Sequence, residues 1–143
     1  MNFLANTYAY NNTVSGSLTV SSGSIIYNST ANALYISVGG KAINITVAGN
    51  TAINGANTQL SNSILNGSVS FGSSAKNTTF INNTVFNAVG VQSDNNVICG
   101  NIIKTVDTYA IVLGSKKNNN VARHAVSTPE PIEAIQSGYQ ISQ

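Results

Sequence analysis

The sequence predicts an all-β protein that folds as a short right-handed parallel β-helix, a solenoid of about five coils with a C-terminal cap. Two observations support this fold class. Related stretches recur along the middle of the chain at offsets close to the length of one β-helix coil. Each stretch also holds short runs in which apolar and polar residues alternate, and these runs end in residues that favour turns.

The clearest repeat joins residues 77–94 to residues 95–113 with an offset of 18 residues. This alignment places Phe80 on Ile98, Asn83 on Asn101 and Val85 on Ile103. No single unit can bury its apolar side chains alone, whereas stacked units can, so the repeat predicts a solenoid.

Two weaker copies extend the repeat in both directions. With an offset of 21, the copy from Asn57 puts Leu60, Asn62 and Ile64 on Ile81, Asn83 and Val85. With an offset near 23, a later copy puts Ala122, His124 and Val126 on the same track. A second motif follows each copy, an apolar alternation and a turn: YISVGGKAIN, SVSFGSSAKN, VGVQSDNN and IVLGSKKNN, with SLTVSSGSIIYN before them.

The alignment predicts an asparagine ladder inside the solenoid, formed by Asn62, Asn83 and Asn101. Stacked strands lie about 4.8 Å apart, so side-chain amides at equivalent positions can bond to one another. Such bonding would spare the buried amides a desolvation penalty of about 1–3 kcal/mol each.

The repeats divide the chain into three segments. Residues 1–16 are expected to form an N-terminal cap or interaction arm, residues 17–126 the solenoid, and residues 127–143 a C-terminal cap or docking segment. In the last segment, Thr128 could cap a short helix, or residues 132–136 could form a further strand. The span from Val38 to Phe71 fits either one coil with a long loop near residues 48–56 or two tight coils. A β-sandwich or jelly roll is the alternative fold.

The repeats NTTFINNTV and NNVICGNII resemble those of the pectate-lyase-like superfamily of parallel β-helix proteins. That superfamily includes polysaccharide lyases and hydrolases, phage tailspikes, and NosD-like surface proteins. The resemblance covers roughly residues 17–126 and implies a fold rather than a function.

The titratable residues do not form a recognisable catalytic pattern. The chain has four carboxylate side chains, Asp94, Asp107, Glu130 and Glu133, and the repeat alignment puts the two aspartates in different turns. His124 is the single histidine and Cys99 the single cysteine, interpreted as a coil-end hydrogen-bonding residue and a buried apolar thiol. We therefore expect no catalytic residue, no metal site and no cofactor.

Composition narrows the choice of partners. Charged residues are 7% of the chain and the net charge is +2, which does not provide the basic surface that nucleic-acid binding needs. There is no apolar run long enough for a membrane span. Six Asn-x-Ser/Thr sequons are candidate glycosylation sites, although the composition produces about as many by chance: Asn11, Asn28, Asn44, Asn66, Asn77 and Asn82.

Together these observations predict a non-enzymatic structural or adhesive module in an exposed assembly, such as a virion decoration or spike or a cell-surface appendage. Its surface would be wetted by amides and hydroxyls, and it would self-associate or bind other subunits. The alternative is a carbohydrate-binding or polysaccharide-processing β-helix, with Tyr27, Tyr35, Tyr109 or Tyr139 as sugar-stacking residues.

Overall fold

A computed structural model describes residues 1–3, 5–105, 109–114, 118–122 and 125–127, and for 125–127 the backbone only. Throughout these ranges the secondary structure is β, and every strand pairing is parallel. The β-solenoid prediction is confirmed, because a sandwich or jelly roll would be built on antiparallel pairs. The ranges also contain no helix of the length and apolarity needed to cross a membrane.

Seventeen strands are described. They are β1 Asn2–Phe3, β2 Tyr8–Tyr10, β3 Thr13–Val20, β4 Ile25–Ile36, β5 Lys41–Val47, β6 Thr51–Ile53, β7 Gln59–Ser61, β8 Ile64–Leu65, β9 Val69–Phe71, β10 Thr79–Ile81, β11 Thr84–Val85, β12 Val89–Val91, β13 Val97–Cys99, β14 Ile102–Lys104, β15 Ile111–Leu113, β16 Asn120–Ala122 and β17 Ala125–Ser127.

The strands stack into three faces, with seven strand segments on each face and six turns between the first and the last. The first face runs from β2 through Ile25–Tyr27 and Lys41–Ile43 to β16. The second face runs from Thr13–Val14 to β17. The third face runs from β1 to β15. We call the bend before the first face the first corner and the bend after it the second corner.

The observed register tests the sequence alignment. The 18-residue offset is confirmed, because Phe80 pairs with Ile98 and Val85 with Ile103. The later offset of 23 is confirmed by the pairing of Cys99 with Ala122. The earlier offset of 21 is wrong by one residue, because Leu60 pairs with Phe80 and not with Ile81.

Two segment boundaries are also resolved. The span from Val38 to Phe71 forms two tight coils, since residues 51–53 form β6 and do not lie in a long loop. Residues 1–16 are not a separate cap: β1, β2 and the start of β3 pair in parallel with later coils and form the first coil. The predicted helix or strand after Thr128 lies outside the described residues.

The core is a column of apolar side chains that point inward from all three faces. Fully buried aliphatic residues recur at equivalent positions, and Phe71 and Phe80 meet edge to face with ring centroids 5.5 Å apart. Because every coil adds its own inward residues, the hydrophobic contribution accumulates coil by coil.

Thr51 is a polar exception in this column. Its side chain is 1% exposed, and its Oγ1 has no hydrogen-bond partner among the described residues. By register Thr51 lies between Leu34 and Val69, both of which are buried. The hydroxyl therefore bears a desolvation cost that no bond offsets.

We expect Thr51→Val to raise the free energy of unfolding by about 1–2 kcal/mol, because it removes the unbonded hydroxyl and keeps the side-chain shape. The matched control is Thr46→Val on the exposed side of the second face, where we expect a change within about 0.5 kcal/mol. Urea denaturation followed by circular dichroism measures both. A lower stability for Thr51→Val than for the parent chain would show that the hydroxyl is bonded.

Candidate functional site: the stacked corners and the first face

Left-handed backbone occurs at two fixed places in each coil. Throughout the described ranges, every residue with positive φ lies at the first or the second corner, and all ten non-glycine cases are asparagine. At the first corner the positions are Asn6, Gly23, Gly39, Asn57, Asn77, Asn95 and Asn118; at the second corner they are Asn11, Asn28, Asn44, Asn62, Asn82 and Gly100. Asparagine and glycine are the residues that adopt this conformation at least cost, which accounts for ten of the 22 asparagines of the chain.

The two corners are separated by a constant length of chain. In six successive coils the left-handed positions lie five residues apart, as in Asn6 and Asn11 or Asn77 and Asn82. In all seven coils the register-equivalent residue of the second face, from Thr13 in the first coil to Ala125 in the last, lies seven residues after the first-corner position. Coil length nevertheless varies between 16 and 23 residues. The variation therefore arises elsewhere, in the bends that flank the third face.

The left-handed asparagines form an exposed row of amides along each corner. Asn44 Nδ2 donates to Asn28 Oδ1 at 2.7 Å, and Asn77 Nδ2 donates to Asn57 Oδ1 at 3.2 Å. Where glycine follows asparagine in the row, the amide takes up the space of the missing side chain: a Cβ on Gly100 would lie 2.5 Å from Asn82 Oδ1. Each row thus ties neighbouring coils together from the outside.

A buried polar column lies just inside the second corner. Asn83 and Asn101 are each at most 1% exposed, and the backbone N–H and Nδ2 of Asn83 donate to Asn101 Oδ1 at 2.9 and 3.1 Å. Asn83 Nδ2 also donates to the Leu60 carbonyl, and Asn101 Nδ2 donates to the Phe80 carbonyl, in both cases at 3.0 Å. Each amide therefore reaches the coil before it.

Asn62 does not belong to this column, and its predicted place in the ladder is wrong. Asn62 is exposed and left-handed, in the outer row with Asn82. Ser63 holds the inward position, where its backbone N–H donates to Asn83 Oδ1 at 3.0 Å and its Oγ accepts from the Ile45 N–H at 3.1 Å. Because the alignment was shifted by one residue, it assigned the outward-facing Asn62 to the inward position that Ser63 occupies.

The first corner contains a second buried column that the sequence analysis missed. Thr58 and Thr78 Oγ1 atoms lie 2.8 Å apart, and the Thr78 N–H donates to Asn96 Oδ1 at 2.9 Å. The Asn96 N–H in turn donates to Asn119 Oδ1 at 3.0 Å. The sequence signal for this column is an asparagine or glycine followed by a small polar residue, as in Asn57–Thr58 and Asn95–Asn96.

The sequons acquire a structural explanation from the same corners. Of the six sequon asparagines, all but Asn66 occupy left-handed corner positions: Asn11, Asn28, Asn44, Asn77 and Asn82. In each of these five the next residue points inward and the third, a threonine, lies on a strand and faces outward. Corner geometry therefore accounts for the asparagine of these five sequons, and the outward strand position accommodates the threonine. All six asparagines are exposed, and Asn44 and Asn77 donate their amides within the outer rows.

Of the candidate chemical residues, Asp94 and Cys99 lie in the described part of the chain. Asp94 lies half-exposed in the turn before β13, and Asp107, His124, Glu130 and Glu133 lie outside the described residues. Cys99 is a free thiol, half-buried on the outward side of β13. Within the described ranges, no three His, Cys, Asp or Glu side chains come close enough to hold a metal ion.

Exposed tyrosines cluster where the first face begins. Tyr8 and Tyr10 are 71% and 62% exposed, and Tyr10 stacks on Tyr27 with ring centroids 5.5 Å apart. Tyr35 is exposed on the third face, Tyr109 is exposed at the bend before β15, and Tyr139 lies outside the described residues. The Tyr8–Tyr10–Tyr27 group is flanked by the exposed Asn6 and Asn11.

Comparison with protein-family models, curated proteins and solved structures found no match to this chain in any of the three. The fold defines its class as a parallel β-solenoid with polar stacked corners.

We expect Asn101→Ala to lower the free energy of unfolding by about 2–4 kcal/mol, because it leaves the Asn83 N–H and the Phe80 carbonyl buried without their partner. Asn101→Ser should lose less, because Ser63 in the same column supplies its Oγ as an acceptor. Chemical denaturation of both variants measures the difference. Equal losses would contradict the acceptor role of this side chain.

We expect Asn82→Ala to cost about 1 kcal/mol, because alanine disfavours the left-handed backbone that Asn82 adopts. Asn82→Gly is the matched control and should retain the parent stability, as glycine does at Gly100 in the next coil. Thermal unfolding of the three chains ranks them. Glycine less stable than alanine at this position would refute the conformational explanation.

Proposed function

We propose that this chain is a non-enzymatic structural or adhesive module, a subunit or domain of an assembly exposed on a virion or cell surface. The observation that carries the proposal is where the polar side chains are used. Four buried asparagines bond to backbone or side-chain atoms of adjacent coils rather than lining a cleft: Asn83, Asn96, Asn101 and Asn119. Such bonding holds successive coils together, as a structural rod requires.

The outer surface supports the same proposal. Amides cover two corners, and threonines recur on the outward side of the second face, at Thr13, Thr30, Thr46 and Thr84. The interactions of a surface made of uncharged groups depend little on salt concentration, because few charges are present to be screened. That property suits an exposed location where ionic conditions change.

Carbohydrate binding is the second candidate, and one observation favours it. The exposed Tyr8 and Tyr10 and the half-buried Tyr27 form an aromatic group beside the amides of Asn6 and Asn11. Aromatic faces with adjacent hydrogen-bonding groups suit sugar rings. The resemblance of the repeats to the pectate-lyase-like superfamily, with its tailspike-like and NosD-like members, adds an analogy of fold. A glycan array with the parent chain and Tyr10→Ala tests this candidate.

We expect antibodies raised against the recombinant chain to label the exterior of intact source cells or particles in immunogold electron microscopy. Brief protease treatment of the intact material should remove that label. Labelling that appears only after permeabilisation would contradict the proposed function, as would turnover of a polysaccharide panel by the purified chain.

A further inference from the structure

The first face carries a row of mainly apolar side chains on its outward side. In each strand segment the third residue points outward, and the strand pairing stacks these residues coil upon coil. The row consists of Tyr10, Tyr27, Ile43, Ser61, Ile81, Cys99 and Ala122. Except for the buried serine, every member is apolar or aromatic and at least partly exposed. The serine Oγ accepts a hydrogen bond from Gln59 Nε2 at 3.1 Å, so the one polar break in the row is already bonded.

A mixed row and the two corner amide rows complete the outward side of this face. The mixed row contains the first residue of each segment: Tyr8, Ile25, Lys41, Gln59, Thr79, Val97 and Asn120. Among the outward residues of the seven described segments, Lys41 is the single charged one. The amide rows of the two corners border the face on either side. Apolar side chains enclosed by polar edges are the arrangement found in protein–protein interfaces.

The face is large enough to bind a second molecule. The left-handed positions of the two corners lie five residues apart, and seven described strand segments stack between them. At about 3.3 Å per residue and about 4.8 Å per strand, this outline covers about 500 Å² on one copy. Two such faces packed together would bury about 1,000 Å², the area at which specific interfaces begin. The area therefore fits a weak dimer that forms at high concentration.

Side-chain sizes along the face select one arrangement of two copies. A two-fold axis parallel to the strands reverses the solenoid axis of the second copy and leaves each row opposite itself. In one register the facing pairs are Ile43 with Ile81, Tyr27 with Cys99, Tyr10 with Ala122 and Ile25 with Val97. Both tyrosine rings of the apolar row then face a small side chain, and the isoleucines face aliphatic partners. Such complementarity of shape is what a packed interface requires.

The position of the single charge excludes the other two-fold arrangement. In the selected register Lys41 faces Thr79, whose hydroxyl can accept a hydrogen bond from the ammonium group. A two-fold axis along the solenoid would set each coil against its own copy and each row against the other row. Lys41 would then face Ile43, and Tyr8 would face Tyr10. A buried charge without a polar partner is costly, so the antiparallel arrangement is favoured.

We propose that the first face binds a second copy of this chain, antiparallel and face to face, with Ile43 of each copy against Ile81 of the other. This contact deepens the proposed function, on which it rests, by naming the surface and the partner through which the module assembles. It is isologous, so it closes as a dimer. The two sheets would lie about 10 Å apart, as packed sheets do.

Sedimentation velocity of the full chain, from micromolar to millimolar concentration, should show a monomer–dimer equilibrium. We expect Ile43→Asp to weaken the dimer about tenfold or more, because its carboxylate would be buried against an aliphatic side chain. The matched control is Ile64→Asp on the outward side of the second face, where the side chain is 47% exposed and outside the contact. That variant should dimerise as the parent chain does. Circular dichroism and the urea midpoint establish that each variant folds.

A charge pair tests the register itself. Ile43→Lys and Ile81→Asp should each weaken the dimer, and the double variant should restore it, because lysine then faces aspartate in both symmetric contacts. The two positions lie two coils apart in one chain, about 10 Å, so the restoration reports a contact between copies. Should these variants fail to fold, Val97→Asp tests the neighbouring row, where the side chain is 42% exposed. A folded double variant that stays as weak as the single variants would overturn the proposal.

Three further outcomes count against the contact. A full chain that stays monomeric at millimolar concentration would overturn it, as would a dimer that Ile64→Asp abolishes and Ile43→Asp leaves intact. A monomer in which Ile43→Asp lowers the urea midpoint much more than Ile64→Asp does would show that another segment of the same chain covers the face, which also overturns it. If surface labelling persists in these cases, the proposed function stands while this inference falls; a dimer without surface labelling has the opposite meaning.

Discussion

Hydrogen bonding between successive coils at the two corners is the constraint on which the rest of this structure depends. At the corners one residue takes a left-handed backbone, and in every described coil except the third, where the residues are Gly40 and Ile45, the next points a small polar side chain into the solenoid. The bend turns the chain onto a new face, and the inward side chain then bonds to the neighbouring coil. Strand stacking, core alignment and the outer amide rows all follow from this pairing of conformation and bonding.

The energetics of the corners explain the residue choice. A non-glycine residue pays about 1–2 kcal/mol in the left-handed region, and asparagine reduces that cost by local hydrogen bonding. A buried hydrogen bond contributes about 0.5–1.5 kcal/mol to the stability of the fold. With two corners in each coil, such small terms accumulate along the rod, because each coil interacts mainly with its neighbours.

Much of the fold could be predicted from the sequence because apolar periodicity survives in the repeats. The pairing of Phe80 with Ile98 follows directly from their shared surroundings. The register of Asn62 could not be predicted in this way, since Asn82 and Asn83 are adjacent and identical while one faces out and the other in. Residue identity cannot distinguish them; only the backbone conformation does. The first-corner column escaped notice because it mixes threonine, serine, glycine and asparagine.

The constant seven-residue path from the first corner to the second face has a consequence for how such a chain can diversify. Length changes are confined to the bends beside the third face, where the sixth coil is longest at 23 residues. An insertion there leaves the stacked corners of every coil unaltered. Those bends are accordingly where new peptide, and with it new recognition, can be grafted onto an unchanged rod.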